Sequence, residues 1–231
     1  MALRALSLCA GIGGLDLAAE RALGSWTVCA VERDPFCVGV LRRRFPLTPV
    51  WSDLVTFDAA PWCGVVDLLL AGAPCQPFST ASRGRRVALD LLPHVLRIAQ
   101  ATEPALVFLE NVPGAREGFN QFRRALMCDG YESPPLLETS TAELGAAHDR
   151  RRLWLLAYAH GQGERLRALH AEVARLRPAP EDPWPADGPA SGLLRVDDGI
   201  PDRMDRLRAL GNAVVPAQAA DALCTLLEGI A

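Results

Sequence analysis

The 231-residue chain contains no lysine: all 24 of its basic residues are arginine. That absence fits codon bias in a GC-rich genome, as do the many alanines, prolines and glycines, and it excludes no function. The chain also lacks any Cys-x-x-Cys pair. Its seven cysteines, Cys9, Cys29, Cys37, Cys63, Cys75, Cys128 and Cys224, are odd in number, which argues against a disulfide framework and a zinc site and for a reducing compartment. The four histidines, His94, His148, His160 and His170, stand at no ligand spacing, so no metal is expected. There is no run of about twenty uncharged apolar residues, and the N-terminus runs straight into a glycine turn with no signal-like stretch. No membrane partner is expected, and the expected location is cytoplasmic. Charge of one sign is missing too: a net −3 gives no global pull on polyanions, so a nucleic-acid partner has to be met by a local basic face. Arginines cluster at Arg83, Arg85 and Arg86, at Arg150, Arg151 and Arg152, and at Arg203, Arg206 and Arg208.

What is present suits a globular α/β protein: 50% hydrophobic and 22% charged residues allow one sizeable core and a modest insertion. Short apolar runs bounded by turn residues alternate with helical patterns, the signature of a mostly parallel sheet with helices on both faces. Strands are expected at 5–9, 27–31, 49–52, 66–71 and 105–109, with a later one at 152–158. Helices are expected at 15–23, 35–44 and 93–101, Pro93 being suited to a first helical position. Residues 164–177 place Leu166, Leu169, Val173 and Leu176 on one helical face. Regularity then stops, because Pro178, Pro180, Pro183, Pro185 and Pro189 exclude a central strand or helix. Helices at 202–209 and 216–227 flank Gly211-Asn212-Ala213-Val214-Val215-Pro216. The expected organisation is a catalytic and cofactor-binding domain at 1–160, a small irregular insertion at 161–201, and helices at 202–231 that complete the first domain.

In an open parallel sheet, ligands collect beyond the carboxyl ends of the strands. Gly11, Gly13 and Gly14, Glu32, Asp53, Cys75 and Glu110 fall there. The glycines permit a tight turn against a ligand at the start of a helix, though their spacing is not the full Gly-x-Gly-x-x-Gly fingerprint. Glu32, about 20 residues after that turn, stands where nucleoside-binding sheets hold ribose hydroxyls, which favours a nucleoside cofactor over a plain turn. Asp53 reads either as a solvated or capping acid or as the acceptor of an adenine amino group. In Ala73-Pro74-Cys75-Gln76-Pro77, two prolines stiffen the backbone around a thiol. A free cysteine is usually a small buried hydrophobe, but a thiol fixed above a cofactor crevice suits a nucleophile. Glu110, followed by Asn111-Val112-Pro113, either caps the next turn or is its acid partner.

These segments resemble, in order along the chain, the motifs of the cytosine-C5 DNA methyltransferases. Ser7-Leu8-Cys9-Ala10-Gly11-Ile12-Gly13-Gly14 resembles the cofactor turn, Pro74-Cys75-Gln76 the nucleophile motif and Glu110-Asn111-Val112 the glutamate motif. His148-Asp149-Arg150-Arg151-Arg152 resembles the Gln-x-Arg-x-Arg segment, and 208–216 the closing motif. The resemblance implies a Rossmann-like S-adenosylmethionine-dependent fold and transfer of a methyl group to C5 of a flipped-out cytosine in double-stranded DNA. Cys75 would attack C6, Glu110 would hold N3 and the exocyclic amine, Arg152 would contact O2 or a neighbouring phosphate, and Arg150 would support the nucleophile loop. The cofactor set carried over is Cys9, Gly11, Ile12, Gly13, Glu32, Arg33, Asp53, Leu54, Pro74, Leu91 and Asn212. The DNA contacts carried over are Gln76, Ser79, Arg83 and Arg85.

Two departures stand out. Cys9 replaces a common aromatic, and Arg33 follows Glu32 where an apolar or aromatic group is usual, so adenine packing is looser, or comes from Phe36 or from a cation–π contact with Arg33. The target-recognition region, normally a substantial second domain, is confined to about 161–201, with Arg165, Arg167 or Arg195 as candidate base readers. That points to short or relaxed specificity, or to a partner chain that supplies recognition. The competing readings are an RNA cytosine-5 methyltransferase and a nonenzymatic DNA-binding relic of the family; Cys75 and Glu110, for which a binding module has no need, speak against the second.

Overall fold

The computed structural model of the protein describes residues 2–73, 90–176 and 203–230. Five strands, β1 (Arg4–Leu8), β2 (Trp26–Val31), β3 (Val50–Trp51), β4 (Leu68–Ala71) and β5 (Leu106–Asn111), pair in parallel in the order β3-β2-β1-β4-β5. Next to β5, β6 (Tyr131–Glu132) and β7 (Leu137–Ser140) share the outer edge of β8 (Arg151–Ala159), which runs antiparallel to β5. This is the mostly parallel, Rossmann-like sheet expected from the sequence. Every residue of β4 and those at 106–109 of β5 are at most 1% exposed, as strands covered on both faces must be.

Strand alternation sends successive side chains to opposite layers. Leu69, Ala71, Val107, Leu109 and Leu155 pack under α3 (Leu92–Thr102) and α4 (Arg116–Cys128). Leu68, Leu70, Phe108 and Trp154 pack under α1 (Gly14–Leu23), α5 (Gly163–Leu176) and α7 (Pro216–Glu228). The last two elements, α2 (Pro35–Arg44) and α6 (Arg203–Asn212), touch each other outside these layers. α7 lies along α1, and its Ala219, Ala222, Leu223 and Leu227 are fully buried, so its apolar face belongs to the core.

The amphipathic segment after residue 163 is α5, and it joins this core: Leu166 is buried, and His170 Nδ1 lies 3.1 Å from the Ala22 carbonyl of α1. The proline-rich remainder, 177–202, lies outside the described residues. Three elements went unanticipated. α4 buries only Phe119, Phe122 and Leu126 among polar neighbours, too thin a stripe to stand out, and β6 and β7 have two and four residues.

Candidate active site

The parallel register brings Leu8, Val31, Trp51 and Ala71 level with one another and Ala71 level with Leu109. Whatever follows these residues therefore lines one edge of the sheet, as the strand-end argument requires. β1 runs into Cys9 (φ +50°), Gly11 (+56°) and Gly13 (+86°), the last of which precedes α1. Only glycine suits two positions here. A Cβ on Gly13 would collide with the Phe45 ring, and one on Gly14 would lie 2.5 Å from the carbonyl oxygen of Val214. The closing segment at 211–216 is thus pressed backbone to backbone against the first turn. Gly14→Ala is expected to cost about 1–3 kcal/mol by overpacking, seen as a fall in Tm of roughly 2–4 °C per kcal/mol; an unchanged melt would mean that Val214 does not sit there.

Gly11 differs, since nothing lies within 4 Å of where its Cβ would point. Its N–H donates to Glu32 Oε2 at 2.7 Å, and Asp34 N–H donates to Glu32 Oε1 at 2.8 Å. Each carboxylate oxygen keeps a second acceptor site, so Glu32 is oriented but not saturated. Beneath the turn, Asp16 of α1 is buried and accepts from Ser7 Oγ (2.9 Å) and Thr27 Oγ1 (2.6 Å), tying helix to β1 and β2. Burial raises its carboxyl pKa, and the two hydroxyls oppose that rise. Nothing in the sequence singled it out except its position as one acid in an otherwise apolar stretch.

Of the other candidates on this side, Cys9 is half-buried, its thiol pushed up to about 12 by burial and by the charge of Glu32. It is therefore no nucleophile. Asp53 follows β3 and accepts from Val55 N–H at 2.9 Å, which is the loop-acid arrangement. Leu54 is buried in the core, with its carbonyl receiving Arg97 Nη2 at 3.3 Å. Leu91, half-buried, precedes α3. Arg33 is exposed and Phe36 half-buried at the start of α2. Asn212 ends α6 with an exposed side chain.

On the other side, β5 extends further than its apolar run. Glu110 and Asn111 belong to the strand, paired with Trp154 and Leu153 of β8, so Glu110 is not the post-strand residue expected. Period-two alternation on β8 puts Arg152 and Trp154 on the face that carries Glu110, and Arg150, just before the strand, is close enough for its charge to act on that acid. Glu110 is only 7% exposed, and Arg152 Nε stands 2.6 Å from its Oε1, a charge contact whose N–H is not aimed at the oxygen. Burial raises the Glu110 pKa, while Arg152 and Arg150 oppose the rise. A buried acid between two cations is poised to hold or release a proton. Phe108 and Trp154 stack at 5.5 Å on the same face, under the pair.

Gly72 joins the two sides. Its Cβ position lies 3.6 Å from the Cys9 carbonyl and 3.8 Å from Glu110 Oε2, so the chain leaving β4 passes between the glycine turn and the acid. Pro74, Cys75, Gln76, Ser79, Arg83 and Arg85 lie outside the described residues.

Arg150 turns to the closing motif, donating from Nη1 to the Gly211 carbonyl (2.9 Å) and from Nη2 to that of Ala213 (2.7 Å). Sequence reasoning missed Gln218, a buried amide on α7 that donates to Arg150 O at 2.9 Å. Its one signal is a polar residue on an alanine- and leucine-rich helix face.

Comparison with known proteins agrees with this arrangement. The chain is 38% identical over 117 residues to the type II methyltransferase M.NgoMIV of Neisseria gonorrhoeae, a match covering 49% of the chain and 37% of that protein. It is 36% identical over 122 residues to the type II methyltransferase M.AquIA of Picosynechococcus, covering 47% and 48%. The chain thus spans between about a third and a half of the length of these relatives. Among solved structures, a Spodoptera frugiperda DNMT2 mutant shares the fold with a TM-score of 0.58 at 22% identity, over 69% of this chain and 51% of that one. The profile of the C-5 cytosine-specific DNA methylases matches residues 3–192, a span that includes the glycine turn, the Glu110 strand end and the arginine strand. The chain belongs to the C-5 cytosine-specific DNA methylase family.

Proposed function

We propose that the protein is a DNA (cytosine-5)-methyltransferase that uses S-adenosylmethionine. The observation that carries this reading is the buried Glu110–Arg152 pair beside Gly72, with the open face of Gly11 and the unsaturated Glu32 carboxylate on the other side of the same glycine. These residues fit a nucleoside: Gly11, Ile12 and Gly13 give it a close backbone wall, and Glu32 accepts from ribose hydroxyls. Asp53, Leu54 and Leu91 would hold the adenine, with Arg33 or Phe36 against it, and Cys9, Pro74 and Asn212 would complete the set that binds the cofactor. When bound, S-adenosylmethionine supplies an electrophilic methyl group on a sulfonium.

Cytosine C5 is too poor a nucleophile to take that methyl group unaided, so the protein has to activate it. The Cys75 thiolate adds to C6, forming a C–S bond and moving the ring π electrons toward C5. Glu110, carrying its proton, donates to N3 and accepts from the exocyclic amine, which stabilises the charge that the addition creates. Arg152 holds Glu110 and contacts O2. After C5 has gained its methyl group, transfer of the C5 proton to solvent water returns an electron pair to the ring and expels Cys75 as the thiolate, restoring the 5,6 double bond. These atoms are hidden in a duplex, so the base has to be extruded first, with Gln76, Ser79, Arg83 and Arg85 as contacts to the DNA. A DNA substrate also implies the compartment that holds the genome, the cytoplasm of a bacterial cell.

Because α5 packs into the core, target recognition falls to what remains of the insertion. Bisulfite or nanopore mapping of DNA from cells expressing the protein is expected to find 5-methylcytosine in a short or relaxed sequence context. A defined site of six or more bases overturns the expectation of reduced recognition. No methylation at all, by the chain alone or with a second chain from its own operon, overturns the enzymatic reading.

A further inference from the structure

Gln218 is 0% exposed. Its Nε2 lies 2.9 Å from Arg150 O, 3.2 Å from Thr139 O and 3.1 Å from Thr139 Oγ1. Two backbone carbonyls can only accept, so the network fixes which end of the amide carries the hydrogens. Thr139 Oγ1 also accepts from Trp154 Nε1 at 2.8 Å, and Thr141 Oγ1 accepts from Arg150 N–H at 2.9 Å. The backbone of Arg150 is therefore gripped at both its N–H and its carbonyl.

The side chain of the same residue reaches the other way. Its forked donors span the carbonyls of Gly211 and Ala213, the residues on either side of Asn212. The contacts are reciprocal: a side chain of α7 holds the backbone entering β8, and a side chain from the entrance of β8 holds the backbone entering α7. Val214, between the two grips, rests its carbonyl on Gly14. Arg150 is half-buried beside Arg152, a poor place for a second cation; burial and Arg152 lower its pKa and Glu110 opposes. The carbonyls of 211 and 213 are what compensate it there.

We propose that Gln218 is a positioning residue for methyl transfer: through Arg150 it fixes the spacing between the glycine turn, on which Val214 rests, and the Glu110–Arg152 pair. This rests on the methyltransferase reading of the site. Neither Gln218 nor the carbonyls it acts through touch the reacting atoms, so the effect lies in alignment, where a displacement of about 1 Å is worth up to about 100-fold in rate.

The test replaces the amide with shapes that keep its volume. Gln218→Met loses the donors, and Gln218→Glu sets an acceptor against two carbonyls. In both, kcat is expected to fall about 10- to 100-fold at a temperature well below the melt, with KM for DNA little changed. Backbone amides at 211–214 are expected to exchange hydrogen faster while those of β4 and β5 do not. Arg150→Met opens the same clamp, so the double variant Gln218→Met/Arg150→Met is expected to be no slower than Arg150→Met alone. Unchanged kcat and unchanged exchange at 211–214, or losses that simply multiply in the double variant, overturn the proposal. If Gln218→Met does not fold, Arg150→Lys carries the same exchange measurement, since a lysine cannot span two carbonyls with a rigid fork. A wild-type chain that transfers no methyl group undoes the methyltransferase reading, and the exchange result still decides whether the clamp exists.

Discussion

Cys75→Ser is expected to lower methyl transfer on the order of 10⁴-fold or more and to abolish covalent trapping on 5-fluorocytosine DNA, with the affinity for S-adenosylhomocysteine almost unchanged. The thiolate is the species that attacks, and a serine hydroxyl ionises far above any working pH and has no adjacent general base in this motif. Fluorine at C5 blocks the proton loss that would release the enzyme, so trapping on that base reads out the C–S bond itself. Cofactor affinity is the control, because the cofactor contacts proposed for Gly11 and Glu32 do not involve residue 75. Should trapping survive the substitution, Cys75 leaves the mechanism. Cys9, the thiol beside the glycine turn, would not replace it readily, since burial and Glu32 hold it protonated up to about 12.

Glu110→Gln is expected to reduce kcat by about 10²- to 10⁴-fold while leaving DNA affinity nearly as it was. Glutamine keeps an oxygen for Arg152 and still donates a hydrogen bond, so the pocket stays filled; what disappears is the transferable proton. The pH dependence separates this from a packing defect. Burial raises the Glu110 pKa against the opposition of Arg152 and Arg150, so the carboxyl keeps its proton to higher pH than an ordinary glutamate. In the wild type, the rate is expected to fall as pH passes through the raised value of Glu110 and the donor to N3 is lost. The glutamine variant should lose that falling limb. If DNA affinity dropped as much as the rate, Glu110 would be a structural residue. Glu110→Ala is a worse probe, because removing one partner of a buried pair strands Arg152 at a cost of about 3–5 kcal/mol.

Much of this site was legible in the sequence because it rests on local rules. Apolar runs closed by Gly11, Glu32 and Glu110 marked strand ends, and parallel strands must bring their ends to one edge. The positive φ at Gly11 and Gly13 is a backbone demand that only certain residues meet cheaply, so the turn could be read from composition alone. The true end of β5 could not. Glu110 and Asn111 are strand residues only because β8 pairs with them, and that pairing is a tertiary fact which hydrophobic patterning does not record. The clamp was invisible for the same reason. Thr139, Arg150, Gly211, Ala213 and Gln218 have no shared spacing, and a side chain bonded to a distant carbonyl leaves no periodic trace. Asp16 escaped notice because its partners, Ser7 and Thr27, are hydroxyls with many ordinary roles. α4 shows the limit in the other direction, a real helix whose buried stripe of three residues is too narrow to announce itself.

The contact of Gly14 with Val214, and of α1 with α7, has a temporal side. The first helix and the last described one complete each other, so during synthesis the earliest-made wall of the cofactor crevice waits for some two hundred further residues before its neighbour emerges from the ribosome. A nascent chain stalled short of Val214 would carry the glycine turn and the acid of β5 and still leave that turn without the backbone that covers it.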